Sequence, residues 1–243
     1  MKKLALLMGA VASLAFTACN DNDGYSLSNA AVGLATVEKI SSESSAYFLV
    51  LDSGTKLWPA ATNFPYYRPD NGQRLMVNFT LLSDGNSEYD HDIKVNDLAK
   101  VLTKPMVELT AENADSIGSS PVVIQDIWVG ADYINVIFDF KANNKRHMVN
   151  IVESADFGST DELTKLQFRH NSYGDSEKYW NRGLASFNIS QLKAEGKTAV
   201  NIELSAVDYK GEVKTYKLTY DWSGNAPRST KTFPTNTNAV EVL

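Results

Sequence analysis

Gln73-Arg74-Leu75-Met76-Val77-Asn78-Phe79-Thr80-Leu81-Leu82 is the stretch on which the fold turns. Leu75, Val77, Phe79 and Leu81 fall on one side of an extended chain, and Met76, Asn78 and Thr80 on the other. That alternation predicts a half-buried β-strand. Asn71-Gly72 before it reads as a turn, and Ser83 to Asp90 after it as a polar loop.

The same pattern extends in both directions. Upstream, Val32 to Ile40 and the continuous apolar run Tyr47-Phe48-Leu49-Val50-Leu51 read as strands. Asp52-Ser53-Gly54 marks a reversal, and Lys56 to Pro59 leads out along an edge, because Pro59 has no amide hydrogen to give a neighbour. Downstream, Ile93 and Val95 continue a strand, Asp97 to Leu102 reads as a short helix and Pro105 to Leu109 as a last strand. Short strands at this density predict a small barrel. Asn113 to Pro121, with Gly118, Ser119 and Ser120, reads as a linker.

A second group of strands follows. Val122 to Val129 runs into the turn Gly130-Ala131-Asp132, after which Ile134, Val136, Phe138 and Phe140 alternate against Asn135 and Asp139. Further strands are expected near 146–153, 163–170, 184–190, 198–207 and 213–222, making a seven-stranded antiparallel sandwich. The segment from Ser223, with Pro227 and Pro234, reads as a loosely held tail.

The start of the chain speaks to location. Lys2 and Lys3 precede an apolar run from Leu4 to Phe16, too short for the ~20 residues of a spanning helix. Basic residues, a short apolar run and then small residues make a signal peptide, residues 1–18. Phe16-Thr17-Ala18-Cys19 resembles the lipobox of bacterial lipoproteins, with Phe16 where leucine is usual. The resemblance implies that Cys19 carries diacylglycerol and becomes the mature N-terminus. Cys19 is the one cysteine in the sequence, so no disulfide partner competes for it. Residues 19–30 then form a lipidated tether, reaching at most ~35 Å when extended. Asn20-Asp21-Asn22-Asp23 resembles the acidic surface-export signal of lipoproteins in Bacteroides-type bacteria, and it is also what a solvated linker needs. The expected location is the outer membrane, facing either the cell exterior or the periplasm.

Net charge is −6 for the full sequence, and loss of Lys2 and Lys3 with the leader makes the remainder more acidic. That balance argues against a nucleic-acid partner, whose affinity comes mostly from neutralised phosphates. It argues equally against adsorption to anionic lipid.

The residues taken together resemble the NigD-like lipoproteins of Bacteroides-type bacteria. The matching stretches are Tyr47 to Trp58, Ile127-Trp128 with Asp132 to Val136, Leu166 to Asn171, and Gly183 to Phe187. The resemblance implies an all-β chain: an N-terminal OB-like barrel over 31–113, a β-sandwich over 121–223 and a tail over 224–243. It supplies no catalytic residues, and it suggests a role in bacteriocin immunity.

Site signals are weaker. Trp58, Phe64, Tyr66, Tyr67 and Arg68 form an aromatic loop with one cation, suited to a sugar ring or a peptide carboxylate, or else to capping the barrel. Asp90-His91-Asp92 has ligand-type side chains, but in a strand they alternate in direction and cannot converge on a metal. His147 and His170 are too far apart in sequence to argue for zinc, and no Gly-x-Ser-x-Gly elbow is present. Asp115-Ser116-Ile117 resembles the O-glycosylation signal of Bacteroides-type exported proteins, which would place a glycan on Ser116. No cofactor, metal or catalytic residue is expected. The functional expectation is a lipid-anchored, non-enzymatic envelope protein that binds or shields, with a bacteriocin as one candidate partner. The alternative is an accessory lipoprotein binding carbohydrate or peptide through the Trp58–Arg68 loop.

Overall fold

The structure, a computed structural model, describes residues 30–224. The leader, Cys19, the tether before Ala30 and the tail beyond Gly224 lie outside the described residues.

Five strands close a barrel: β1 (Ala30–Lys39), β2 (Tyr47–Leu51), β3 (Lys56–Thr62), β4 (Arg74–Asp84) and β5 (His91–Lys100), in the order β1-β2-β3-β5-β4. The alternating residues of β4 do what their pattern predicts. Leu75, Val77 and Phe79 fill the interior with Ala35, Val37, Leu49, Leu57, Ile93 and Val95. The opposite face departs from expectation: Arg74, Met76 and Thr80 are buried too, the first two because the second domain covers the barrel wall there, and Thr80 accepts a bond from Asn96 of β5.

Asp97 to Leu102, read as a short helix, is strand through Lys100. β5 pairs antiparallel with β4 from Asp84↔His91 to Leu75↔Lys100, so barrel closure gives this segment a ladder that outweighs its local preference. β3 continues through Pro59 to Thr62. Its pairing with β2 involves only Lys56 and Leu57, so Pro59 faces no donor-hungry neighbour there, and its register with β5 slips just beyond Pro59.

The second domain has two sheets. One has the order β14-β13-β11-β10-β7 and the other β6-β12-β9-β8. The strands are β6 (Leu102–Pro105), β7 (Val107–Glu108), β8 (Val123–Gly130), β9 (Tyr133–Ala142), β10 (Met148–Glu153), β11 (Leu163–Asn171), β12 (Tyr179–Asn188), β13 (Ala199–Val207) and β14 (Val213–Asp221). Seven of these correspond to the expected strands; β6 and β7 are additional. The strand expected over Pro105–Leu109 as the end of the barrel belongs to the sandwich, where β7 pairs with β10 and β6 with β12. Both of these pairs are parallel, as is β11 with β13, so the sheets are mixed where an antiparallel sandwich was expected. The cause is the route of the chain. It leaves the barrel at Val101, enters one sheet as β6 and crosses to the other as β7. The segment 113–121 is not a free linker. It forms α1 (Ala114–Ile117), buries Ile117, and is held by Asn171, whose amide donates to the carbonyls of Asp115 and Ser116.

The sandwich core includes Ile134, Val136, Phe138, Phe140, Ile151, Phe168, Phe187, Ile202, Leu204 and Tyr220. A separate cluster joins the domains: Val32, Leu34, Met76 and Val101 pack with Trp128 and Leu184. Among the described residues no helix is long and apolar enough to cross a membrane.

Candidate binding surface

The polar residues with the least solvent lie at the domain junction. Arg74, on the outward face of β4, is 1% exposed. Its Nη1 donates to Asp52 Oδ1 at 2.5 Å and its Nη2 to Asp52 Oδ2 at 3.1 Å, a bidentate pair. Nη2 also donates to Asn135 Oδ1 at 3.0 Å, and Asn135 returns its amide to Asp52 Oδ2 at 3.1 Å. Ser186 completes the set by donating to Asn135 Oδ1 at 2.6 Å. The guanidinium lies 4.3 Å over the Tyr133 ring. Arg74 and Asp52 come from the barrel, Asn135, Ser186 and Tyr133 from the sandwich. A Cβ at Gly130 would overlap the Asp52 carboxylate, so glycine lets the two backbones approach this closely. Arg74, Asp52, Asn135 and Ser186 are buried and bonded to one another, with Arg74 Nε alone of their side-chain nitrogens left without a partner, so the cluster ties the two domains together.

The aromatic loop singled out in the sequence is only partly open. Trp58 stacks on Tyr89 with ring centroids 5.0 Å apart, and Tyr67 packs against the barrel core. Arg68 turns back on its own loop, donating to the carbonyls of Pro65 and Tyr67. Of the five residues Tyr66 stands most open, 90% exposed, with Phe64 at 36%. The Asp90–Asp92 carboxylates serve neighbours: Asp90 accepts from the Lys56 amide and Asp92 from the Ser83 hydroxyl. Ser116 is exposed on α1, with its hydroxyl donating to the Asn113 carbonyl. No group of three metal-ligand side chains converges among the described residues.

His147 and His170, distant in sequence, meet in space. Pairing of β10 with β11 brings Val149 opposite His170, and His147 Nδ1 lies 2.8 Å from His170 Nε2. His170 Nδ1 faces the Pro121 carbonyl at 3.2 Å, and His147 Nε2 faces Asp175 Oδ2 at 3.2 Å. A carbonyl can only accept, so His170 carries its proton on Nδ1. Burial, with the charge of His147 second, pulls the pKa of His170 down to about 4, so it is neutral at pH 7 and its Nε2 accepts. His147 then meets the His170 acceptor through Nδ1 and the Asp175 carboxylate through Nε2, so its ring is engaged on both sides. The amide of Asn143, first among several donors, holds Asp175 well below the usual carboxylate range.

These bonds fix the loops 143–147 and 172–178 to each other at one end of the sandwich. Asp175 accepts from the amides of Asn143 and Asn144, and Lys145 donates to the carbonyls of Tyr173 and Gly174. Tyr173 and Gly174 both have positive φ, the left-handed turn that lets the loop fold back. On this end Tyr179 and Trp180 are 55% and 58% exposed. Trp180 meets Tyr209 edge to face, and the Lys141 ammonium lies 5.4 Å from the Trp180 ring and 4.9 Å from that of Tyr209. Sequence reasoning passed over this patch. Its one local signal was Lys178-Tyr179-Trp180, an aromatic pair beside a charge where a buried strand would carry neither exposed.

A closed five-stranded barrel bolted to a mixed β-sandwich defines a two-domain β-protein of the OB-plus-sandwich class. Family models place it further: residues 34–101 match the NigD-like N-terminal OB domain and residues 105–220 the NigD-like C-terminal beta sandwich domain. The chain belongs to the NigD-like family. A solved structure from Parabacteroides distasonis, described as toxin-related, is 34% identical, with a TM-score of 0.70 over 81% of this chain and 96% of that one. A protein of unknown function from Bacteroides vulgatus is 28% identical, with a TM-score of 0.75 over 88% of this chain and 100% of that one. A NigD-like immunity protein from Bacteroides caccae shares the fold at 20% identity and a TM-score of 0.62, over 79% of this chain and 97% of that one. No curated protein matches the sequence.

Proposed function

We propose that this chain is a non-enzymatic lipoprotein of the outer membrane, anchored through Cys19, that binds and shields against a peptide toxin of the bacteriocin type. The observation that carries the binding reading is the exposed pair Tyr179 and Trp180 of β12, with Tyr209 and with Lys141 of β9 against them, on the paired strand ends from which the loops pinned by Asp175 spring. Exposed aromatics beside a cation are the side chains that dominate protein–protein affinity, and a fixed loop loses little entropy on binding. The buried ionisable groups support the non-enzymatic part: Arg74 with Asp52 and His147 with Asp175 each hold one segment of chain to another. The lipobox-like stretch before Cys19 supports the anchor. The toxin-related structure at 34% identity and the immunity protein among the relatives support the choice of toxin. Ser116, exposed on α1, is proposed to carry an O-glycan.

The test is deletion of the gene followed by challenge with a panel of bacteriocins from related bacteria. The expected result is sensitisation to at least one, restored by the native gene and not by one carrying Trp180→Ala. Unchanged sensitivity across the panel counts against immunity, and a mature N-terminus with an unmodified Cys19 thiol counts against the anchor.

A further inference from the structure

The pocket beside the histidine pair is built differently from the aromatic patch. It encloses about 440 Å³ at the edge of the sandwich, lined by Leu102 and Lys104 of β6, Arg146 and His147 of the 143–147 loop, Met148 and Val149 of β10, and Tyr173. It exists because β7 is only two residues long. β10 is paired with β7 at Val152 and Glu153 alone, so its first residues have no strand beside them on that edge. Lys104 reaches across the gap instead. Its ammonium donates to the Val149 carbonyl and to Asn150 Oδ1.

The charge in this pocket is one-sided. Lys104 has three protons and two acceptors, and no carboxylate forms an ion pair with it among the described residues. Burial pushes its pKa down, the response of an ammonium that lacks an anion. Arg146 is exposed at the rim, and its guanidinium makes no hydrogen bond or ion pair among the described residues. His147 contributes a ring already committed on both nitrogens, one of them facing Asp175. Apart from those three side chains the lining is apolar: Leu102, Met148, Val149 and the Tyr173 ring. The Tyr173 hydroxyl is spent on the Met148 sulfur at 3.7 Å.

We propose that this pocket binds a small organic monocarboxylate with an apolar body, its carboxylate held between Lys104 and Arg146 and its body laid on Leu102, Met148, Val149 and Tyr173. The volume falls within the range of small-molecule sites, and a few polar groups on an apolar wall are their usual construction. The planar fork of Arg146 suits a carboxylate, and the third Lys104 proton supplies a second point of attachment. An apolar wall with two unspent cations is a poor host for a neutral lipid, whose head would leave both unpaired. This goes beyond the toxin-shielding reading and does not depend on it, since the Trp180 patch is a different set of residues.

The experiment is a titration of the mature, unlipidated chain with octanoate, followed by NMR of the methyl groups of Leu102, Met148 and Val149 and by thermal unfolding. Octanol, the same body without the charge, is the comparison. Octanoate is expected to shift those methyls saturably and to raise Tm, while octanol binds at least about tenfold more weakly. Arg146→Glu, at an exposed position that leaves the fold intact, is expected to weaken octanoate by about tenfold or more and octanol not at all. Absence of saturable shifts, equal binding of octanol, or unchanged octanoate affinity in Arg146→Glu would each overturn the proposal. None of these outcomes bears on bacteriocin sensitivity.

Discussion

Arg74 is the residue on which the two domains depend most. A buried ion pair need not stabilise a fold relative to an apolar pair of the same shape, because both charges must leave water. Removing one partner is another matter. In Arg74→Met the Asp52 carboxylate would remain buried with the Asn135 amide and no cation, and such losses cost about 3–5 kcal/mol. Urea unfolding should show the midpoint falling accordingly; a change within experimental scatter would mean that water reaches the joint. Arg74 also shows where sequence reading stops. Its neighbours Leu75, Val77 and Phe79 announce the strand, and their burial follows from alternation. The burial of Arg74 itself depends on Asp52 and Asn135, distant in sequence, and on a second domain covering the face that alternation assigns to solvent. Asn135 is hidden for the same reason, on the polar side of β9.

At the scale of elements, β4 and β9 were legible because each carries an uninterrupted alternation, whereas the second half of β5, the strand β6 and the sandwich membership of β7 were not. β5 is polar enough at Asn96 and Asp97 to resemble a helix start, and only the rungs of β4 make it a strand. β6 and β7 are too short to show a period at all, and their parallel partners lie far along the chain. The histidine pair was out of reach for a related reason, since it exists only through the register of β10 against β11. It carries a pH dependence. Unfolded, His170 would titrate near 6.5; folded, it stays neutral down to about 4. Between those values the unfolded chain takes up a proton that the folded chain refuses, so stability is full above the upper value and falls as pH drops toward the lower. The loss amounts to about 3 kcal/mol, from 1.36 kcal/mol per pKa unit. His147 and Asp175 are the other titratable groups in this chain of contacts, and Asp175 adds its own loss only at more acid pH, where it protonates. Chemical denaturation across that interval should give this slope in the native chain and a flatter one in His170→Gln. Parallel slopes would place the acid sensitivity elsewhere.

For the whole molecule, the joint decides how the domains behave. Val101 is the single residue between β5 and β6, and it is buried in the cluster that also holds Val32, Leu34, Met76, Trp128 and Leu184. A barrel separated from its sandwich would expose this cluster and strand the Arg74–Asp52 pair at an open surface. The two domains are therefore expected to melt together, with one calorimetric peak and coincident transitions by fluorescence and far-ultraviolet circular dichroism. Two resolved peaks would show the joint to be weaker than its burial implies. The barrel's own geometry adds a mechanical corollary. The chain enters at Ala30, opposite Thr80, and leaves beyond Lys100, opposite Leu75, so entry and exit lie at opposite ends of β4. Tension applied between Ala30 and the sandwich would run lengthwise along β1, loading all its rungs from Ala30↔Thr80 to Thr36↔Arg74 in shear at once, where a peeling geometry would break them one by one.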